Sequence, residues 1–275
     1  MLPLLASFSI SLLALTSAQV VEFPSELDQW LVAEPPSRNS DQWSIANRDS
    51  RHEWAVTLGD AGPRVKLRGK DGPAPLPFEI EAGSAAEGLA GRRTVARVDD
   101  GWIVAFNAGE FGAGLWWFSP DGGSRYRISK DHAQGFFPTG SGLLAIEGLA
   151  HLSRSEGKVA RLSRDASGRW ASEVLVDLGH APDAAAQDVD GSLVVATTGR
   201  LLRVFPATKK VEVLLDQAFW GGLYANSLVI APSGAIYVGM RHGVAKVETG
   251  KTSPKVSWLL PNQAFADQRS IEGSR

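Results

Sequence analysis

Four short apolar runs in this chain end in a turn closed by glycine, at nearly even intervals. The turns are Val98-Asp99-Asp100-Gly101, Thr139-Gly140-Ser141-Gly142, Asp188-Val189-Asp190-Gly191 and Ala231-Pro232-Ser233-Gly234, and their glycines fall 41, 49 and 43 residues apart. A period of this size is the mark of a repeat architecture, in which one supersecondary unit is stacked on its copies. Asp-Gly and Ser-Gly between apolar runs signal hairpins, because a tight turn needs a residue at positive φ.

Each turn leads into an apolar strand: Trp102-Ile103-Val104-Ala105, Leu143-Leu144-Ala145-Ile146, Leu193-Val194-Val195-Ala196 and Ile236-Tyr237-Val238. A second glycine (Gly114, Gly157, Gly199, Gly243) opens a third strand, and a more polar fourth follows at Tyr126-Arg127-Ile128, Glu173 to Val176, Val211 to Leu214 and Val256 to Leu259. Four antiparallel strands per 40 to 50 residues describe a β-propeller blade. A less regular unit precedes these, with strands expected at Trp43-Ser44-Ile45, His52 to Leu58, Val65-Lys66-Leu67 and Phe78-Glu79-Ile80. The sequence therefore predicts an all-β fold, a propeller of four-stranded antiparallel blades. Five blades are expected, with six the alternative, over residues 42–81, 93–130, 134–178, 183–216 and 226–260. Ser25 to Glu34 reads as a short helix capped by Ser25, and Gln19–Asp41 with Pro261–Arg275 is left to close the ring or start a sixth blade. The alternating amphipathic helices that doubly wound and barrel folds require are not found.

Leu2 to Leu15 is almost wholly apolar, too short for a membrane span of roughly 20 residues, and ends in the small residues Thr16-Ser17-Ala18. This reads as a signal peptide of residues 1–18, cleaved after Ala18. An uncleaved anchor running to Val21 is the alternative. The remaining single propeller domain, 19–275, is then secreted or periplasmic, with no stable membrane insertion. The chain has no cysteine, which excludes disulfides, thiol catalysis and thiolate metal sites. Its 28 basic and 30 acidic residues are interleaved, which argues against a nucleic-acid partner.

In a propeller the connections entering the innermost strands gather at the channel mouth. Eight residues before each turn glycine stand Arg93, Gln134, Asp183 and Asn226, all polar. Neighbouring loops add Asp131, His132, His180, Phe219 and Trp220, and the second-to-third-strand loops add Glu110, His151, Arg241 and His242. Glu147 ends a second strand nearby. Arg93, Gln134, Asp183, Asn226, His132, His180, His151 and Trp220 are the ligand-binding candidates. Carboxylates, amides, imidazoles and aromatic rings around one concavity suit a small polar ligand or a divalent cation. On the opposite face, Ser163-Arg164-Asp165-Ala166-Ser167-Gly168-Arg169-Trp170 resembles the Asp-box hairpin of sialidase-type propellers, and Ser119 to Tyr126 is a looser version. Both are expected to be structural turns.

The stretch Asn226-Ser227-Leu228-Val229-Ile230-Ala231-Pro232-Ser233-Gly234-Ala235-Ile236-Tyr237-Val238 resembles the Asn-Gly-Leu…Pro-Asp-Gly…Tyr-Val stretch of gluconolactonase/regucalcin-like propellers, and NHL-type propellers share its cadence. That resemblance implies a divalent ion, calcium or magnesium, in the channel. Asp183 and Asn226, with Glu147, would be its ligands, and Gln134 or Arg93 would contact substrate. The family's Glu-Gly-Pro is absent; Glu147-Gly148-Leu149 is the similar string. Three functions stand in order: a ligand-binding propeller without strong catalysis, a metal-dependent lactonase-like hydrolase, and a protein-interaction scaffold whose partner is another protein.

Overall fold

In the computed structural model, which describes residues 23–261 apart from positions 70, 71, 73, 82, 141, 153, 251 and 252, the repeat becomes a set of stacked antiparallel sheets. The expected signal peptide, its cleavage point after Ala18 and the stretch from 262 to 275 lie outside the described residues. In chain order the strands are β1 (Leu31–Ala33), β2 (Trp54–Gly59), β3 (Gly62–Leu67), β4 (Arg92–Val98), β5 (Gly101–Asn107), β6 (Ala113–Phe118), β7 (Arg125–Ser129), β8 (Ala133–Thr139), β9 (Gly142–His151), β10 (Arg154–Arg164), β11 (Trp170–Asp177), β12 (Pro182–Gln187), β13 (Leu193–Thr197), β14 (Leu201–Phe205), β15 (Lys210–Leu215), β16 (Ser227–Ile230), β17 (Ile236–Gly239), β18 (Val244–Glu248) and β19 (Lys255–Leu260). One helix, α1 (Asp41–Arg48), precedes β2.

The chain is an all-β propeller of five sheets. Three blades are four-stranded, β4–β7, β8–β11 and β12–β15. The blade β16–β19 gains β1 as a fifth, outermost strand, paired antiparallel through Val32 and Leu259. The fifth sheet is β2–β3 alone. Contacts run along the innermost strands from β4 to β8, β12, β16 and β2.

The second strands are apolar over Ile103–Phe106, Leu143–Ile146 and Leu193–Ala196 because both faces of the blade are buried there. On β9, Leu143 and Ala145 pack toward β4–β7, joining Ile103, Leu115 and Trp170. Leu144 and Ile146 face the other way, joining Leu193, Val195 and Val204 of β12–β15. Strand side chains alternate between faces, so a run with no polar break is what a blade between two others demands. The turn glycines behave as the repeat requires. Gly191 at φ 81° and Gly234 at φ 83° donate to the Asp188 and Ala231 carbonyls at 2.9 and 2.8 Å.

The first unit departs from the sequence reading. Trp43-Ser44-Ile45 is not a strand but the middle of α1. Ser40 caps the helix by accepting the Trp43 N–H at 3.2 Å, and Asp41 and Arg48 match the dipole at its two ends. The second expected strand starts later, at Trp54. Phe78-Glu79-Ile80 is not a strand either; Phe78 and Ile80 lie on β4–β7, where Phe78 meets Phe118 with ring centroids 5.7 Å apart. Leu76, Phe78, Ile80 and Leu89 thus cover the face of that blade that has no sheet beside it among the described residues. Ser25 to Glu34 is not one capped helix. Leu27–Gln29 is a single 3-10 turn with no side-chain cap, and β1 follows. This segment staples two sheets: Ser25 accepts the Val65 N–H of β3 at 2.8 Å before β1 joins β19. Gly157 lies inside β10 rather than opening it.

Candidate functional site at the channel mouth

The four polar residues predicted at the heads of the innermost strands are all there, but each does something different. Arg93 lies in the regular part of β4 and donates from Nη2 to the Ala74 carbonyl at 2.7 Å. Its Nε is buried and has no partner among the described residues. Gln134 and Asp183 are the extra residues of two β-bulges. On β8 the pairing jumps from Ala133 to Gly135, and on β12 from Pro182 to Ala184. A bulge leaves one residue out of the ladder and re-aims its side chain. Gln134 uses that freedom to donate to the Gly148 carbonyl at 3.0 Å. Asn226 is spent locally: its amide meets the Tyr224 carbonyl at 3.4 Å and the Ser227 hydroxyl at 3.0 Å.

Asp183 has no hydrogen-bond or ion-pair partner among the described residues. Burial alone pushes its carboxyl up to about 7. Asp183 is half-buried, and a carboxyl with a raised pKa and no protein partner at the head of an innermost strand is a candidate to meet a ligand.

Glu147 has a different environment. It takes the next inward register after Leu143 and Ala145 on β9, a position otherwise given to the core, and is 1% exposed. Lys158, its cross-strand partner on β10, bonds Asp131 at 2.7 Å and approaches Glu147 at 3.5 Å without hydrogen-bond geometry. Burial, then repulsion from Asp131, raise Glu147 to about 7 against the pull of Lys158. Burial works against the charge of Lys158, yet the hydrogen bond to Asp131 and the negative charges of Glu147 and Asp131 outweigh it and hold its pKa above the usual value. These groups line a pocket of about 300 Å³ with His132 and Asp177.

The histidines separate. His132 donates to the Gly109 carbonyl at 3.0 Å, and His151 pairs with Glu110 at 3.4 Å. His180 lines a second cavity. Trp220, expected at the mouth, is instead in the core at 1% exposure, its indole donating to the Thr197 carbonyl at 2.9 Å. An apolar ring flanked by Phe219 and Leu223 gains more from that cluster than from a wet rim. His52 and His242 both donate from Nδ1 to Asp49, at 2.8 Å each, and Arg241 bonds Glu53 at 2.9 Å and stacks 3.6 Å over Tyr224. Asp49 was not singled out in the sequence; it follows α1 directly and has no exposed side-chain surface.

The three side chains that the resemblance names for a divalent ion are differently engaged among the described residues. Glu147 already faces an ammonium, Asn226 is engaged by its own loop, and Asp183 stands as a single carboxylate. Among the described residues no three His, Asp or Glu side chains are grouped so as to hold a metal. On the opposite face the Asp-box-like hairpin is a turn as expected: Asp165 accepts from the Ser167 hydroxyl at 2.6 Å and from the Ser167 and Arg169 amides.

No protein-family model matches the chain, and no curated protein matches it. Among solved structures it is similar to the extracellular domain of BT4673 from B. thetaiotaomicron, at 14% identity over 74% of this chain and 26% of that one, with a TM-score of 0.43. It is also similar to an auxiliary nutrient binding protein from Bacteroides thetaiotaomicron (13%, 56% and 38%, TM-score 0.37). A third is a catalytically inactive virginiamycin B lyase from Staphylococcus aureus with quinupristin (12%, 67% and 60%, TM-score 0.42). The chain thus spans about a quarter of the BT4673 domain and less than two thirds of the others. The class defined by the strand order is a β-propeller. The gluconolactonase/regucalcin-like or NHL-type kinship is assigned by none of these comparisons.

Proposed function

We propose that this protein is an exported propeller that holds a small polar ligand at its mouth, with Asp183 as the principal acceptor. The observation that carries the reading is the unpartnered Asp183 carboxylate on the β12 bulge. A ligand hydroxyl or amine that donates to it supplies the partner that the protein does not, and a hydrogen bond to a charged group is among the stronger ones. Gln134, on the equivalent bulge of the preceding blade, supplies an amide at the same level of the repeat. Export is supported by the apolar leader with its small-residue end. No helix among the described residues is long and apolar enough to cross a membrane. The secreted or periplasmic form is expected to begin at Gln19, which N-terminal sequencing of the mature protein checks.

The test is a thermal-shift panel of monosaccharides, polyols and simple amines on wild type and Asp183→Asn. At least one class should stabilise wild type and not the variant. Equal stabilisation of both by every active compound removes Asp183 from the site. A lactonase-like hydrolase requires a metal held by these donors, and no specific observation favours it over binding.

A further inference from the structure

A cavity of about 580 Å³ opens beside the propeller mouth between the loop ahead of α1, the β13–β14 turn and the loop after β15. Its charge is opposite to that of the Glu147 pocket. Arg38, Arg200 and His180 bring two guanidiniums and an imidazole to its walls, against the single carboxylate of Asp216. Asp216 engages Arg200 through Nε alone, at 2.8 Å, so both Nη groups of Arg200 are left over. Arg38 and His180 have no hydrogen-bond or ion-pair partner among the described residues. Arg38 lies beside Gly221, its Cζ 3.6 Å from where a Cβ would stand, which is ordinary contact; the glycine is required by the Thr198 carbonyl, with which that Cβ would collide.

We propose that this cavity binds the oxyanion of a small molecule, a carboxylate or phosphate group, through Arg38, Arg200 and His180. Two guanidiniums on the wall of one cavity offer N–H donors to an oxyanion, and a guanidinium fork can meet such a group bidentately. Asp216 holds the Arg200 side chain in the wall while neutralising only one of the positive groups. The site stands independently of Asp183, which is not among its lining residues.

The test is titration of the full-length protein with inorganic phosphate, and separately with acetate, followed by calorimetry against chloride at matched ionic strength. Saturable binding of phosphate or acetate that chloride does not reproduce is expected, and whichever binds tighter names the oxyanion. Arg38→Ala, an exposed change that leaves the core intact, should weaken binding about tenfold or more, as loss of a charge-assisted bond does. Arg200→Ala should do the same. Asp216→Asn should tighten it, because it removes the negative charge from the cavity wall while keeping an acceptor for Arg200 Nε. Asp183→Asn should bind the anion as wild type does, even if the mouth reading fails. Phosphate and acetate behaving no differently from chloride would overturn the proposal, as would Arg38→Ala binding at wild-type strength.

Discussion

His242, in the β17–β18 connection, donates its Nδ1 proton to Asp49 Oδ2 at 2.8 Å, while His52 holds the other oxygen of the same carboxylate. One buried side chain therefore ties the end of α1 and the entry of the two-stranded sheet to the last full blade. Among the described residues this sheet has only two strands; the clasp and the Glu53–Arg241 pair add to its apolar packing of Trp54, Val56 and Val65 against Val244 and Leu259.

Removing the shared acceptor should therefore be costly. Asp49→Ala leaves two imidazole donors facing a void, and about 3 kcal/mol or more of stability should be lost. Equilibrium urea unfolding measures it; a loss below about 1 kcal/mol would mean that the clasp is incidental.

The two raised carboxyls set a slope of stability with pH. Asp183 and Glu147 keep their protons up to about 7 in the folded protein, whereas an unfolded chain releases them near 4. Between those limits the folded state binds more protons, so stability falls as pH rises from about 4 to about 7 and is level above. Asp183→Asn should flatten part of that slope and stabilise the protein at pH 8. Urea midpoints of wild type and variant across this range decide it, and an unchanged slope would contradict the assignment.

The opposite face has the reverse dependence. Burial alone would raise Asp100, but the hydrogen bonds from Trp170, Trp117 and Arg164 overcome it and hold the carboxyl below the usual range. Its contribution is fully present above the unfolded value and is lost as pH falls through the folded one, below about 4. Asp100→Ala should lower stability at neutral pH and flatten the acid limb, with altered near-ultraviolet dichroism from Trp117 and Trp170.

Calcium or magnesium at millimolar concentration is expected to leave the melting temperature unchanged. A rise that disappears in both Asp183→Ala and Asn226→Ala would restore the metal-dependent reading.

The sequence made the four regular blades legible because their period is written in glycines and in apolar runs that both faces of a blade require. It was silent on the first unit for physical reasons. Trp43 and Ile45 look like strand residues, and only the Ser40 cap, three residues ahead of Trp43, turns them into a helix. Phe78 and Ile80 are apolar because they cover Phe118, not because they pair. The mouth residues were findable from spacing, since Gln134 and Asp183 occupy equivalent bulges. Their partners were not. Which head residue is satisfied, as Asn226 is, and which is left bare depends on loops that bear no period. Glu147 did carry a signal, as a carboxylate at the third inward position after Leu143 and Ala145. Trp220 carried a misleading one, because a loop position does not reveal that the ring folds back into the core.

The account turns on Asp183 being at once a burden on the fold and a ligand acceptor. Calorimetric titration of the best thermal-shift compound, with wild type and Asp183→Asn at pH 6 and pH 8, tests this directly. The account predicts wild-type affinity that rises with pH as the carboxyl ionises through about 7, and a variant that is more stable at pH 8 yet binds at least about tenfold more weakly. Wild-type affinity that ignores pH, together with a variant that binds equally well, would contradict it.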